Sequence, residues 1–316
     1  MNKIFCFGDY LFDGFDADIA RLEKYRDRKT GFFNLDRKIV FVPAMIFLGG
    51  LPGLGKSSFA WQLSYQLAEA GEYVIYCSYE MPREAMTAKM LAREMCRTYN
   101  AESGVCLTAQ EIRTGAFRDD EKVAEKFSLV RDQIVLPKCD TLNGLCTDLP
   151  IEELMKLLNA EAKAAGDKPL TVVIDYLQLV GVKDKKLSSP REKIDYVIQH
   201  LKKFQVETCA TVIIISAFNR ASSVGGLETK LSSFKESGGI EYSAEVCWGL
   251  QPVGAAGMSI DKLGEFLKQK PREMELACVK NRYGQCFSVY FNYWSVYDYF
   301  EVATKPVDTP KASKDI

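Results

Sequence analysis

Gly50-Leu51-Pro52-Gly53-Leu54-Gly55-Lys56-Ser57 carries two glycines five apart followed directly by Lys-Ser. Glycines let a backbone curl until its N–H groups converge on phosphate oxygens. A helix beginning at the same point adds partial positive charge. Lys56 would reach the β- and γ-phosphates, and the Ser57 hydroxyl would sit on Mg²⁺. A tight turn before an ordinary helix has similar letters. The apolar run Ile46-Phe47-Leu48 before the loop, and the helix-period residues Phe59, Leu63, Leu67 and Ala70 after it, favour the phosphate reading. The nucleotide-binding set is Gly50, Pro52, Gly53, Gly55, Lys56, Ser57 and Ser58.

Two carboxylates complete the expected chemistry. Thr171-Val172-Val173-Ile174-Asp175 is an apolar strand ending in an acid. A buried strand would hold Asp175 rigidly opposite the loop, where it could orient Mg²⁺ and its water. Glu80 ends the strand-like run Tyr73–Tyr79. There it could polarise an attacking water, or simply be an acid at a helix start, favoured by the helix dipole. Position alone leaves both readings open.

These residues need elements to hold them. Nearly continuous apolar runs at Val40–Leu48, Tyr73–Ser78, Leu170–Val180, Thr211–Ser216 and Val246–Leu250 read as strands buried on both faces. Glu275–Val279 and Gln285–Tyr293 flank Asn281-Arg282-Tyr283-Gly284, which reads as a hairpin turn. Helical patterns fall between the strands at Arg83–Tyr99, Ile151–Ala165 and Glu192–Thr208. Alternating strands and helices predict an α/β fold, with a mainly parallel central sheet and helices on both faces. The 316 residues, 47% of them hydrophobic, suffice for a large core.

With a net charge of −1, no global field recruits nucleic acid, so such binding would need local basic patches. No apolar run reaches membrane-span length and no leader pattern opens the chain, so a soluble, cytoplasmic protein is expected. The ten cysteines include no CxxC pair. Cys96, Cys106, Cys139 and Cys146 match no usual zinc spacing, so reduced thiols fit better.

Several further segments together resemble the ATPase domain of the DnaB-type replicative helicases, within the RecA-like P-loop group. Thr30-Gly31-Phe32 with Leu35-Asp36 resembles that domain's opening motif. Ser78-Tyr79-Glu80-Met81 resembles the Ser-Leu-Glu-Met whose Glu is the catalytic base. Ile174-Asp175-Tyr176-Leu177-Gln178-Leu179 matches the metal-binding strand. Ser216-Ala217-Phe218-Asn219-Arg220 resembles the sensor segment. Lys235-Glu236-Ser237-Gly238 resembles the DNA-binding channel loop. Lys280-Asn281-Arg282 resembles the hairpin that carries trans-acting cations.

The resemblance implies an N-terminal extension over 1–29 with a possible linker helix and a RecA-like domain over 30–300 ending in a β-hairpin, while a composition rich in Lys, Pro, Ser and Asp from about Thr304 predicts a disordered tail, set at 301–316. It implies ATP and Mg²⁺ as cofactors and a homo-oligomeric, usually hexameric, ring. Single-stranded DNA would thread the pore against Lys235, Glu236 and Gly238, with 5′-to-3′ movement and primase or a loader as replication partners. Glu80, Lys280 and Arg282 would be catalytic, the last two reaching the neighbouring subunit's γ-phosphate. Without the resemblance, Arg282 reads as an exposed turn cation and Lys235 as part of a solvated loop.

The match departs in places. Ala217 stands where the family has a γ-phosphate-sensing glutamine, and alanine cannot hydrogen-bond through its side chain. Lys235 replaces the usual channel arginine. Only about 30 residues precede the domain, too few for the family's collar. The leading expectation is a phage- or plasmid-type helicase motor. The alternatives are an ATP-binding ring or loader without unwinding activity, and a recombinase-type RecA-like ATPase.

Overall fold

The computed structural model describes residues 6–184, 186–218, 227–234, 240 and 243–303. These residues form one sheet of nine strands in the order β3-β2-β4-β5-β1-β6-β7-β8-β9. The strands are β1 (Met45–Gly50), β2 (Tyr73–Ser78), β3 (Leu142–Cys146), β4 (Leu170–Asp175), β5 (Thr211–Ala217), β6 (Val246–Pro252), β7 (Arg272–Asn281), β8 (Phe287–Trp294) and β9 (Tyr299–Val302). Pairing is parallel from β3 through to β6 and antiparallel from β6 to β9. This is the expected α/β architecture. β1, β4 and β6 are buried along their whole length, as strands covered on both faces must be. β8 instead alternates, with Val289, Phe291 and Tyr293 inward.

Helices α1 (Phe7–Asp13) and α2 (Phe15–Leu22) open the described chain, followed by the short α3 (Phe33–Asp36). Next come α4 (Lys56–Glu69), α5 (Arg83–Tyr99), α6 (Ala109–Thr114), α7 (Glu121–Leu129), α8 (Ile151–Ala164) and α9 (Pro190–Thr208). α9 begins two residues before the apolar stripe suggests. Ser189 and Glu192 form a reciprocal capping box there, and Pro190 sits in the first turn, where its missing N–H costs nothing. β1 starts later than the apolar run from Val40, and Pro43 has no N–H to give a ladder.

α4 is seated by aromatic packing. Phe59 stacks on Phe32 with centroids 5.2 Å apart and meets Phe291 and Phe300 edge-on. Upstream, Tyr25 is buried, and its hydroxyl donates to the Cys209 carbonyl at 2.6 Å. Arg28 is buried against Glu72, with its guanidinium also on Thr171 and Thr211 at the feet of β4 and β5. By contrast α1 and α2 bury no residue, and Phe7, Leu11, Phe12 and Ile19 lie exposed along them.

One irregularity matters for the hairpin. Cys247 pairs with Lys280 but Trp248 pairs with Cys278, so Val279 is an extra residue on β7. Before this bulge the even-numbered side chains Met274, Leu276 and Cys278 face the core. Beyond it the alternation shifts by one, so Lys280 shares the Cys247 face, with Lys280 half-buried and Arg282 exposed.

Candidate nucleotide site

The loop between β1 and α4 has the geometry its sequence demands. Gly55 has φ +89°, and a Cβ there would stand 2.6 Å from the Tyr293 ring. Backbone conformation and crowding therefore both require glycine. α4 starts at Lys56, so the free N–H groups of its first turn point out of the loop. The Lys56 ammonium donates to the Leu51 carbonyl at 3.1 Å. Burial draws its pKa down to about 8, while the Asp175 and Glu80 carboxylates pull it back up.

Asp175 ends β4 and is buried. Its Oδ1 accepts the Ser57 hydroxyl at 3.1 Å and its Oδ2 accepts the Tyr76 hydroxyl at 2.6 Å. Burial pushes the carboxyl pKa up, and those two donors pull it down. Ser78 lies in register with Asp175 across the β2–β4 pair, and the Tyr79 N–H donates to the Asp175 carbonyl at 2.7 Å. That pairing delivers Glu80 to the same edge of the sheet. Lys56, Ser57, Glu80, Asp175 and Ala217 line one cleft of about 410 Å³, together with Pro52, Gly53 and Gly55. The Ser57 hydroxyl and the Asp175 carboxylate are adjacent hard oxygen donors, which fits Mg²⁺, an ion that keeps waters and shares phosphate oxygens.

A pH effect follows from Lys56. A bound triphosphate adds negative charge and raises the ammonium pKa, so above about pH 8 binding must take up a proton. Affinity is then expected to fall as pH rises, by up to about tenfold per unit. Calorimetry near pH 9 in buffers of different ionisation enthalpy measures this uptake. Binding without proton uptake would show that Lys56 is already fully charged in the free protein.

Ser58 was expected among the nucleotide contacts. Its hydroxyl donates to Asp298 at 2.6 Å and accepts from Tyr293 at 3.1 Å, leaving its backbone N–H as the group it offers the loop. Ser216 is buried at the end of β5, where its hydroxyl accepts from the Gln178 amide at 3.1 Å. Asn219, Arg220, Lys235, Glu236 and Gly238 lie outside the described residues.

Lys280 and Arg282 are not brought to this cleft. Ile46 pairs with Val246, and Val246 pairs with Asn281. The hairpin tip therefore lies level with the start of β1, four residues before Gly50, or roughly 13 Å along the strand. The loop and the hairpin occupy opposite edges of the same sheet.

The sequence profile of the DnaB-like helicase C terminal domain matches residues 28–302. The chain belongs to this family. No curated protein matches its sequence significantly. Among solved structures, one described as an ATPase domain is similar, at 19% identity and a TM-score of 0.76, over 95% of this chain and 100% of that one. A DnaB-like replicative helicase, whose structure was studied with its interactions with primase, shares 18% identity at a TM-score of 0.73. The match covers 95% of this chain and 67% of that one.

This DnaB-like domain also places residues at the cleft that no sequence motif marks. Lys89 of α5 lines it and pairs with Asp298 at 2.5 Å. Tyr293 packs over the loop, and Arg272 donates to the Gly53 carbonyl at 3.0 Å. A lysine between the apolar pair Ala88 and Met90, and an acid inside the aromatic run Tyr297-Asp298-Tyr299, were the available signals.

Proposed function

We propose that this DnaB-like domain is an Mg²⁺-dependent ATPase that translocates on single-stranded DNA. It works as one subunit of a homo-oligomeric, six-membered ring. The observation that carries this reading is the separation of the cleft from the Lys280–Arg282 hairpin. A chain that holds its trans-acting cations at the far edge of its own sheet needs a second copy to complete the site. The unburied apolar strip on α1 and α2 supports the same conclusion, since a neighbouring copy would cover it.

Within each composite site the Lys56 ammonium and the α4 N-terminus hold the triphosphate, and Ser57 with Asp175 holds the metal. Mg²⁺ supplies charge neutralisation across the phosphate oxygens. Glu80 accepts the proton of the attacking water. Arg282, with Lys280 beside it, neutralises charge that develops on the neighbour's transferring phosphoryl group. DNA phosphates run along Lys235 and the backbone at Glu236 and Gly238. Movement is 5′-to-3′, and the replication partners are a primase or a loader.

The direct test is ATP hydrolysis with and without a single-stranded oligonucleotide. DNA is expected to stimulate turnover. Its affinity is expected to fall with salt at about 0.7 log units per phosphate contact for each log unit of salt. A flat salt response with no stimulation would remove DNA from the pore. A second reading, a nucleotide-binding ring or loader that does not unwind, is favoured by Ala217, which lines the cleft and whose side chain cannot hydrogen-bond to a γ-phosphate. Displacement of a strand from a gapped duplex separates the two.

A further inference from the structure

We propose that Glu245 is a positioning residue for the Arg282 hairpin, joining it to the strand that carries the phosphate loop. The inference rests on the reading above, in which Arg282 acts on a neighbouring copy's nucleotide. Glu245 stands at the foot of β6 and is 8% exposed. Its Oε2 accepts the N–H of Met45, the first residue of β1, at 2.8 Å. Its own N–H donates to the Met45 carbonyl at 3.1 Å. Its carbonyl accepts the Arg282 N–H at 2.9 Å. Its Oε1 accepts the Tyr283 hydroxyl at 2.7 Å and the Lys202 ammonium of α9 at 2.9 Å.

One side chain therefore joins β1, the hairpin and α9, which are far apart in the sequence. The chemistry makes this connection stiff. A buried carboxylate is costly unless donors surround it, and here an amide, a phenol and an ammonium do so. Those donors keep it ionised, holding its pKa below the usual glutamate value against the opposing effect of burial. The turn has internal bonds of its own. Asn281 donates to the Gln285 carbonyl at 3.1 Å and accepts the Tyr283 N–H at 3.0 Å. These shape the tip without fixing where it points. The Arg282 N–H bond reaches the backbone carbonyl and does not depend on the side chain, so it is the Tyr283 bond to the carboxylate, which also holds the Met45 N–H, that fixes that direction relative to β1.

A guanidinium acting across an interface tolerates little error, because a displacement of about 1 Å can cost a hundredfold in rate. Removing the Glu245 side chain leaves Arg282 present but poorly aimed. Glu245→Ala is expected to lower turnover by about a hundredfold, with nucleotide affinity unchanged.

A purely structural role would give a similar loss, so the deciding readout is complementation in mixed assemblies. Glu245→Ala subunits keep a working loop and lose an aimed hairpin. Lys56→Ala subunits keep the hairpin and lose the loop. When mixed, the loop of one meets the hairpin of the other, and activity is expected to exceed that of either variant alone. No gain on mixing would place the Glu245 defect in its own loop and overturn the proposal, as would a wild-type rate for Glu245→Ala.

Arg282→Ala mixed with Lys56→Ala is the reference pair. If that pair fails to complement, the trans reading itself falls, whatever Glu245 does. If Glu245→Ala does not fold, Tyr283→Phe removes a single bond to the same carboxylate. It is expected to show a smaller loss with the same rescue, and an unimpaired Tyr283→Phe would then overturn the proposal.

Discussion

Arg282→Ala is expected to lower ATP turnover by about 10³–10⁵-fold while leaving nucleotide binding intact. The size of the effect follows from when the guanidinium is needed. Charge accumulates on the transferring phosphoryl oxygens at the transition state, and a planar fork of N–H donors neutralises it there more than in the ground state. The hairpin lies on the opposite sheet edge from its own loop. Affinity, assigned in this proposal to Lys56 and the α4 N-terminus, should therefore hardly change. Steady-state hydrolysis and equilibrium binding of a fluorescent ATP analogue measure the two quantities separately. A variant that binds poorly and turns over normally would contradict the assignment.

The second large effect is expected at Glu80. Glu80→Gln keeps the shape and removes the ability to take a proton. Turnover is expected to drop by about 10²–10⁴-fold, the usual contribution of a general base. Binding should again be unaffected, because in this proposal the phosphates are held by Lys56, Ser57 and the loop backbone. Removing the Glu80 charge withdraws one of the carboxylates that sustain the Lys56 proton, so the pH at which affinity begins to fall should move downward slightly. Single-turnover hydrolysis distinguishes slow chemistry from slow product release. Hydrolysis at the wild-type rate would leave Glu80 as an acid at a helix start.

Much of this site is legible in the sequence because its chemistry is local. The loop glycines, Lys56 and Ser57 lie within eight residues, and β4 announces Asp175 by ending an apolar run in an acid. The open choice at Glu80 is narrowed by register, since Tyr79 bonds to Asp175 and sets its neighbour at the cleft.

What stayed hidden depends on long-range contact. Lys89 and Asp298 are 209 residues apart, and Glu245 and Met45 are 200. No spacing rule connects such residues. β3 escaped notice because Asn143 and Gly144 interrupt a five-residue edge strand, and β9 because it has four residues. α6 and α7 were readable in principle. Thr108 and Glu111 form a capping box, and Asp120 caps the second helix. Polar composition masked them, and the stacking of Phe117, in the turn between the two helices, on Phe127 of α7 at 4.1 Å is a tertiary fact. The later onset of β1 comes from Pro43, and the greater length of β7 from polar residues such as Arg272 and Glu273 on a half-solvated antiparallel strand.

The extra residue at Val279 divides a single strand into two physical environments. Upstream, Met274, Leu276 and Cys278 supply apolar volume to the interior. Downstream, the strand runs out into the Lys280–Arg282 tip. Were Val279 paired with Cys247 in regular register, with no bulge, Lys280 would fall on the Cys278 face, toward the apolar interior, where a cation is costly to hold. Which face the cations of the tip occupy is thus set by this irregular register and not by the letters Lys-Asn-Arg alone.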